Sequence, residues 1–379
     1  MFAITREDGF DFLSEEYGRL FHEAGATAFQ HPVWLARLYG TLAVGLGADP
    51  VIVTVRDEEH AGRLRMVLPL LRRRYKGVLL IEFADLQVSD YACPVCNEAT
   101  FHALAADPRA GARIRDLLKP YDVVRIKKVW DGAPPLERLL PSSRRSRMAV
   151  STHATPLLDS FPDWQAAAMS HSYIKELARK RRRLKNRGVV TFELLQDPAL
   201  VVEAFEQLRI WRGARFSDDL LQQDVYYAFY TAVALAGTEG GFSRTLRLAL
   251  DGRTIGVVWT VFWRGTCVML LVGFDFEPYK GCSIGSLAFE DLARDCIARR
   301  DQVLDFSMGD EPYKRLFGCR PKPLWMISAS GTPLGLIANS VAPSLARWQG
   351  KGERKSVEKS GGERLERMRK SGRRFFAPL

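Results

Sequence analysis

The sequence predicts an α/β fold in which two similar units follow one another, each with a mixed, mainly antiparallel sheet flanked by helices. The main observation is an alternation: short apolar runs bounded by turn residues are followed by longer segments with apolar residues every three or four positions. This alternation occurs in both halves of the chain. The length of 379 residues also predicts two domains, or one unusually large one.

The first half contains apolar runs rich in Val, Leu and Ile, which predict strands between helical segments. Pro32 stands where the first turn of a helix tolerates proline. Residues 131–148 are rich in Pro, Ser and Arg and predict a linker, so we expect the first unit at 1–147. The predicted helices are 7–24, 32–42 and 99–118, and the predicted strands are 50–57, 65–74, 77–84 and 121–128.

The second half repeats this pattern, and we expect the second unit at 148–345. The dipeptides Asp251-Gly252 and Arg264-Gly265 separate three apolar runs, which predicts three antiparallel strands joined by tight turns. The predicted helices are 162–187, 198–214, 222–237, one from 284 onward and 333–349, and the predicted strands are 189–195, 243–250, 254–263, 266–276, 303–306 and 323–330.

The net charge of +11 is concentrated in two segments, 171–188 and 347–379, each with a net charge of +7. The rest of the chain is therefore close to neutral. A fold built around nucleic acid spreads its positive charge over a binding face, so we do not expect nucleic acid as a partner. The segment 346–379 is polar and highly charged, and it predicts a disordered tail.

The sequence predicts a cytoplasmic protein without a metal. No apolar run approaches 18 residues, and the N-terminus does not have the pattern of a signal peptide. Six cysteines in a chain of this length do not form a disulfide framework. Cys93 and Cys96 form a CxxC motif, but no second ligand pair accompanies it. We interpret them as ordinary buried or loop thiols.

The stretch from Met269 to Gly318 carries most of the candidate chemistry, because a strand leads through a Gly-rich turn into an amphipathic helix. The first N–H groups of a helix are unpaired and carry partial positive charge, so this turn predicts a phosphate-binding site. An ordinary strand-to-helix turn is the structural alternative. The candidate binding residues are Lys280, Gly281, Ser283, Ile284 and Gly285.

Several segments resemble the Gcn5-related N-acetyltransferase (GNAT) superfamily, and specifically its CelD/BcsL type, which is associated with the biosynthesis of cellulose and other exopolysaccharides. The resemblance implies two GNAT-like units in tandem, an arrangement shared with Fem-type aminoacyl transferases of peptidoglycan synthesis. The segments are FQHPVWL at 29–35, VLPLL at 67–71, SDY at 89–91, LKNRGVVTFELL at 184–195, GRTIGVVW at 252–259, SIG at 283–285 and DFSMGDEPYKRLFG at 305–318.

The resemblance also implies an acyl-CoA donor, with acetyl-CoA as the expected one, bound at the turn 280–285. The family usually has proline at the position of Ile284, inside a Ser-x-Gly turn. Its pyrophosphate signature, Arg/Gln-x-x-Gly-x-Gly/Ala, is matched only loosely by KGCSIG at 280–285. Use of acyl-CoA therefore follows from the family and not from the motif.

The charged loop after the turn is the candidate catalytic region. Acyl transfer from a thioester requires a deprotonated nucleophile and a stabilised oxyanion. Asp305, Asp310 and Glu311 are the candidate bases. Tyr313 would protonate the leaving thiolate or position the acceptor, and Lys314 would bind an anionic group of the acceptor. Alternatively, the acids cap a short helix and Tyr313 packs beneath it.

Residues of the first half are candidates for acceptor binding, together with Glu311 of the charged loop. Phe29, Trp34 and Tyr91 would wall a groove between the two units, although aromatic residues at such spacings also form ordinary cores. Asp90, in the SDY segment, is the polar first-half residue that we associate with the substrate.

The resemblance implies a small-molecule or saccharide acceptor. The basic helix and the tail are either solvated or contact an acidic acceptor, an anionic membrane surface or a polysaccharide-synthesising assembly. Contact with the membrane would place the protein at its inner face. Two other functions stay open: a Fem-like transferase that takes its donor from aminoacyl-tRNA, and a GNAT-like binding module without catalysis.

Overall fold

The computed structural model describes residues 2–140, 142–216 and 218–340, and its central feature is one continuous mixed sheet flanked by helices. The predicted α/β class is confirmed. The strands are β1 (Phe2–Arg6), β2 (Asp49–Asp57), β3 (Arg63–Tyr75), β4 (Val78–Phe83), β5 (Val95–Cys96), β6 (Val123–Trp130), β7 (Arg144–Pro156), β8 (Val190–Leu195), β9 (Ser243–Leu250), β10 (Arg253–Trp263), β11 (Thr266–Phe274), β12 (Val303–Met308) and β13 (Arg320–Ser330).

The helices lie between these strands, and short 3-10 segments connect several of them. The α-helices are α1 (Glu15–Glu23), α2 (Pro32–Arg37), α3 (Glu98–Ala106), α4 (Pro108–Leu117), α5 (Phe161–Ala168), α6 (His171–Lys185), α7 (Pro198–Gly213), α8 (Asp224–Thr238) and α9 (Ile284–Ala298). A π-helical segment, Leu38–Ala43, extends α2, a 3-10 helix follows β12 at Pro312–Phe317, and residues 333–340 are helical.

The order of strands across the sheet is the same from either edge. From one edge to the other, the order is β1-β2-β3-β4-β6-β13-β7-β12-β11-β10-β9-β8. The strands counted inward from β1 therefore correspond, one by one, to the strands counted inward from β8. Each half also contains one parallel neighbour pair, β4 with β6 and β11 with β12. This arrangement is that of two consecutive copies of one structural unit.

The two halves exchange their last strands at the centre of the sheet. β7, which ends the first half, pairs with β12 and β13 of the second half. β13 in turn pairs with β6 of the first half. Each half therefore completes its sheet with a strand from the other half. The predicted boundary at 147/148 lies inside β7, because the strand begins at Arg144, within the predicted linker 131–148.

The sheet of the second half is buried on both faces. Successive β10 residues point to opposite faces, so that Trp259 packs in the core formed with α7 and α8, whereas Val258 packs in the core formed with α6 and α9. The first core continues into the first half, where Trp34 of α2 contacts the rings of Phe229 and Trp259. The two halves thus share one hydrophobic core.

Three predicted helices differ from the structure. The segment 7–24 is helical only from Glu15, because Ser14 caps the helix, and the strand β1 before it was not predicted. The predicted helix 99–118 is divided at Asp107, which caps a new helix beginning at Pro108. The predicted helix 162–187 is likewise divided by Ser170, the N-cap of α6. In each case, a capping side chain ends the apolar periodicity.

None of the described helices combines the length and the apolar composition needed to cross a membrane. The predicted tail, 346–379, and the end of the predicted helix 333–349 lie outside the described residues.

Candidate active site

A cleft opens where the parallel strands β11 and β12 separate. The two strands pair only at their beginnings, with Val268 opposite Asp305 as the last pair, although β11 continues to Phe274. In the same region the register between β10 and β11 shifts by one residue, which is typical of a β-bulge that bends a strand. Beyond the last pair, β11 pairs with no strand on its β12 side within the described part of the chain, and the carbonyl oxygen of Val272 accepts a hydrogen bond from Nη1 of Arg212 at 3.1 Å. An extended ligand has room to pair with this part of the strand.

The predicted phosphate-binding turn lies at the end of this cleft and leads into α9. Ser283 takes a left-handed conformation with φ of 53° and makes no side-chain cap on α9. Gly281 also has positive φ, at 81°, and a methyl group added there would lie 2.8 Å from Nη1 of Arg183. The backbone conformation therefore favours glycine at 281, whereas the contact with Arg183 involves the tip of a flexible side chain that can move aside. The first N–H groups of α9 are left without a capping side chain.

The turn brings the predicted donor-binding residues together. Ile284 is fully buried beneath the turn, and Gly285 packs against the ring of Phe274. Lys280 is exposed and forms a 2.5 Å ion pair with Glu277. The structure adds two residues of the basic helix region that the prediction did not include in this site, Arg183 and Arg187.

The charged loop after β12 is wrapped around the ammonium group of Lys314. Its Nζ donates hydrogen bonds to the carbonyl oxygens of Ser307, Met308 and Gly309 at 2.7–3.2 Å, and it lies 3.0 Å from a carboxylate oxygen of Glu311. The Lys314 side chain is only 2% exposed. Its donors are thus used within the loop, and Lys314 holds the loop in shape. The predicted contact with the acceptor stays a prediction.

Tyr313 lies beside the beginning of α9. Its ring stacks on Phe289 with centroids 5.3 Å apart, and Phe289 in turn contacts Phe274 at the end of β11. The Tyr313 side chain thus connects the charged loop to the donor cleft. Its hydroxyl has no hydrogen-bond partner among the described residues, and burial raises the pKa of this phenol. The raised pKa keeps the phenol protonated but also makes it a weaker acid, so its position beside the cleft, and not its pKa, is what makes it a candidate proton donor.

A buried polar cluster joins the two halves beneath the charged loop. Tyr91 donates a hydrogen bond from its hydroxyl to Asp305, and Ser307 donates one to Asp90. The Ser307 backbone N–H donates to Asp305 at 2.7 Å. Asp90 and Asp305 are 8% and 4% exposed. The structure therefore brings three predicted site residues from separate halves into contact, with Ser307 between them.

The cluster contains two carboxyl groups whose pKa values are raised. Burial raises the pKa of Asp90 to about 6, and the nearby charge of Asp305 adds to this effect while Lys128 opposes it. Burial also raises the pKa of Asp305, against the hydrogen bond from Tyr91. Two carboxylates in a buried site repel each other, so protonation is favoured. Such a pair is typical of functional sites, although structural networks show it too.

His153 is a site residue that the sequence did not indicate. It lies on the exchanged strand β7, is 3% exposed, and its Nδ1 is buried without a hydrogen-bond partner among the described residues. Its Nε2 is 3.6 Å from a carboxylate oxygen of Asp310, which is 56% exposed. Asp310 and Glu311 are thus the accessible acids of the loop, whereas Asp305 is not. The sequence signal for His153 is weak, because β7 also contains three arginines and several Ser and Thr residues.

The structure corrects the predicted role of two aromatic residues. Phe29 and Trp34 are completely buried and pack against each other, with Phe29 also contacting Tyr91. Trp34 donates its indole N–H to Ser89 at 3.0 Å. Because they have no exposed surface, they do not wall a groove. They support the SDY segment from inside the core.

Two buried cysteines border the site, Cys282 within the turn before α9 and Cys319 directly after the charged loop. Cys93 and Cys96 are buried, and burial raises the pKa of each thiol to about 12. Cys267, Cys296 and Asp301 have side-chain atoms within 4.8 Å of one another near the start of β11. Arg244 binds both oxygens of Asp301, at 2.5 and 3.2 Å. This guanidinium charge opposes a cation at the same place.

The cleft, the turn and most of the charged loop lie within a region that matches a known family, whereas Asp90, Tyr91 and His153 lie outside it. Residues 171–315 match the family model described as "Acetyltransferase (GNAT) domain". The match covers the basic helix, the cleft, the turn, α9 and the charged loop up to Arg315. A comparison of the sequence with curated proteins gives no significant match.

Solved structures with the same fold extend the similarity to the first half. FemX has a TM-score of 0.58 and 12% identity, with 85% of this chain and 96% of that chain covered. L-PGS from Bacillus licheniformis has a TM-score of 0.54 and 15% identity, with 90% of this chain and 99% of that chain covered. A conserved protein of unknown function from Bacteroides thetaiotaomicron has a TM-score of 0.55 and 10% identity, with 87% of this chain and 100% of that chain covered. Residues 171–315 are therefore similar to the GNAT acetyltransferase domain, within an overall fold that resembles those of FemX and L-PGS.

Proposed function

We propose that this protein is an acyltransferase that takes an acyl group from acyl-CoA, with acetyl-CoA as the expected donor. The observation that carries this proposal is the separation of β11 and β12 beside the uncapped start of α9. The part of β11 beyond its last pair with β12 offers backbone hydrogen bonds to the amide groups of pantetheine, and the α9 N-terminus offers N–H groups to the pyrophosphate. Both lie within the region that is similar to the GNAT domain.

The acceptor would react by direct attack on the thioester. Its amine or hydroxyl loses a proton, its nitrogen or oxygen bonds to the carbonyl carbon, and the C–S bond breaks to release CoA thiolate, which Tyr313 protonates. Asp310 is the best placed of the three candidate bases, because it is exposed and lies beside His153. Asp305 is buried and already accepts a hydrogen bond from Tyr91. Its proposed task is to hold the two halves in register.

We propose a saccharide or another cell-envelope precursor as the acceptor, because the sequence resembles the CelD/BcsL type. In this proposal the two tandem units meet at the strand exchange, and the acceptor approaches from the charged loop. The chain would act in the cytoplasm, with the exposed cations of α6 available for an anionic membrane surface or an acidic acceptor.

Calorimetric titration with acetyl-CoA tests the donor site. Glutamate at Gly285 places a negative charge at the turn and a side chain against Phe274. We expect Gly285→Glu to abolish acetyl-CoA binding. Gly18→Glu is the matched control, because Gly18 is also helical but has open space around it, and it should bind as the unchanged protein does. Equal affinity of the two variants would contradict the proposed donor site.

A second candidate function is aminoacyl transfer from aminoacyl-tRNA, as in Fem-type transferases. The observation that favours it is the run of exposed cations on α6 next to the cleft. In this case charged tRNA would bind with an affinity that falls steeply with salt, and acetyl-CoA would not bind. If neither donor binds, the remaining interpretation is a GNAT-like binding module.

A further inference from the structure

Three cations from two separate elements lie around the turn that precedes α9. Arg183 belongs to α6 and reaches the backbone of Gly281. Arg187 follows α6, donates from Nη1 to the carbonyl oxygen of Pro278 at 2.7 Å, and stacks on Tyr279 with its guanidinium 4.8 Å from the ring centroid. Lys280 lies on the turn itself.

These cations are poorly neutralised. Arg183 has no ion-pair partner among the described residues, and the hydrogen bond of Arg187 goes to a neutral carbonyl. Lys280 pairs with Glu277, but both side chains are largely exposed, at 73% and 81%. Such a surface pair contributes little and exchanges easily for a stronger anion. The positive charge around the turn therefore exceeds the negative charge that Glu277 provides.

The position of α6 results from a specific anchor. Arg181 donates to Asp291 at 2.9 Å and to Glu290 at 2.6 Å, and these two acids lie in the middle of α9. Leu177 and Leu184 pack into the same core as α9. The anchor turns Arg181 inward and leaves Arg183 and Arg187 directed to the turn. The basic helix is therefore held against the donor site and is not a free surface helix.

We propose that Arg183, Arg187 and Lys280 bind the ribose 3′-phosphate of coenzyme A. The inference rests on the proposed donor. If the pyrophosphate lies at the α9 N-terminus, the 3′-phosphate would be only one sugar ring away, within reach of the cations around the turn. A phosphate monoester carries close to two negative charges and accepts several hydrogen bonds, which matches two guanidinium groups and one ammonium group. The basic helix thus makes the site selective for coenzyme A over donors without this phosphate.

The test compares coenzyme A with dephospho-coenzyme A, which lacks only the 3′-phosphate, by calorimetric titration of the full-length protein. We expect coenzyme A to bind at least tenfold more tightly. Arg183→Gln should weaken coenzyme A binding by about tenfold and leave dephospho-coenzyme A binding unchanged. Arg187→Gln should act in the same direction. Arg179→Gln is the matched control, because Arg179 is an exposed α6 cation one helical turn before Arg183, and it should bind both ligands normally.

Equal binding of the two ligands by the unchanged protein would overturn the inference while supporting the proposed donor. The same holds if Arg183→Gln weakens both ligands equally, or if Arg179→Gln has the same effect as Arg183→Gln, since either result indicates a general electrostatic effect. Binding of neither ligand would overturn the inference and the proposed donor together. Arg183 is exposed, so its substitution is expected to leave the melting temperature unchanged, which confirms that each variant is folded.

Discussion

Tyr91 and Asp305 are 214 residues apart in the chain, and a hydrogen bond from the Tyr91 hydroxyl to the Asp305 carboxylate joins the two halves. Asp305 ends the pairing of β12 with β11, so this bond lies at the point where the cleft opens. Ser307 and Asp90 make a second bond of the same kind directly beside it. The geometry of the cleft therefore depends on both halves of the chain.

Asp90 makes the stability of the protein depend on pH. Its pKa is about 6 in the folded state against 3.8 for the free side chain, so the folded state binds the proton more tightly. The free energy of unfolding therefore falls as the pH rises from 3.8 through about 6, and the loss is about 3 kcal/mol at pH 7. We expect Asp90→Asn to gain stability relative to the unchanged protein between pH 4 and pH 7, as measured by urea denaturation. The exposed Asp218→Asn is the control. If Asp90→Asn and the unchanged protein differ in free energy of unfolding by the same amount at every pH, the prediction is contradicted.

Tyr313→Phe removes the proposed proton donor and keeps the ring that stacks on Phe289. Loss of general acid catalysis costs about 10²–10⁴-fold in rate, so we expect kcat to fall by about 100-fold while the affinity for acetyl-CoA stays the same. The measurement is release of free CoA thiol with an acceptor found by screening. Tyr227→Phe, whose hydroxyl donates to Glu206 at 2.6 Å on the surface, is the control. Unchanged turnover in Tyr313→Phe would exclude the proposed role.

Lys314→Met keeps the length of the side chain but removes the donors to three carbonyl oxygens. Because each unsatisfied buried carbonyl costs about 1–3 kcal/mol, we expect the free energy of unfolding to fall by about 3 kcal/mol or more. Urea denaturation measures it. Lys280→Met, at an exposed lysine with one surface partner, should change stability by less than about 0.5 kcal/mol. Similar small effects in both variants would show that Lys314 does not hold the loop.

Gly318→Ala tests why the charged loop ends in glycine. Gly318 has φ of 71°, and a methyl group there would lie 2.9 Å from the Cα of Ala168 at the end of α5. The backbone conformation and this contact together should reduce the free energy of unfolding by about 2 kcal/mol or more. Gly241→Ala, where φ is 68° and the space is open, is the matched control, because it has the same backbone conformation without the contact. The two melting temperatures, compared under the same conditions, decide the result: equal values would contradict the close contact.

The exchange of β7 and β13 predicts that the halves stay together after the chain is cut. A protease site between Leu158 and Asp159 lies just after β7 and leaves every strand intact. We expect the two fragments to elute as one species in size-exclusion chromatography and to separate only in denaturant. Each fragment produced alone should be insoluble, since it exposes unpaired strand edges. Fragments that separate in native buffer would show that the exchange contributes little.

Local patterns predicted many strands well, because the information lies within the segment. The strand β9 was predicted at its observed bounds, 243–250, from alternation between two turn signals. By contrast, β1 was missed. It has five residues and is defined by pairing with β2, about 50 residues later. Short strands of this kind depend on distant partners, which composition does not indicate.

The candidate site shows the same limit. The charged loop was predicted from its own residues, and Asp90 was associated with the substrate but not with that loop. The bonds from Ser307 to Asp90 and from Tyr91 to Asp305 result from the strand order, which no local pattern contains. His153 was missed for the same reason, since β7 reaches the loop only through the strand exchange. Phe29 and Trp34 were assigned to a groove, whereas their complete burial makes them core residues.

The strand exchange also affects how the chain is made. Trp325 of β13 bonds to Asp131, which follows β6, and the two residues are 194 positions apart. At a synthesis rate of roughly 5–20 residues per second, β6 waits roughly 10–40 s on the ribosome for its neighbour. During this time the first half has an unpaired edge and cannot complete its sheet. Translation of the second half therefore sets the earliest time at which the first half can complete its sheet, and faster synthesis of that region shortens the period in which this edge is exposed to aggregation.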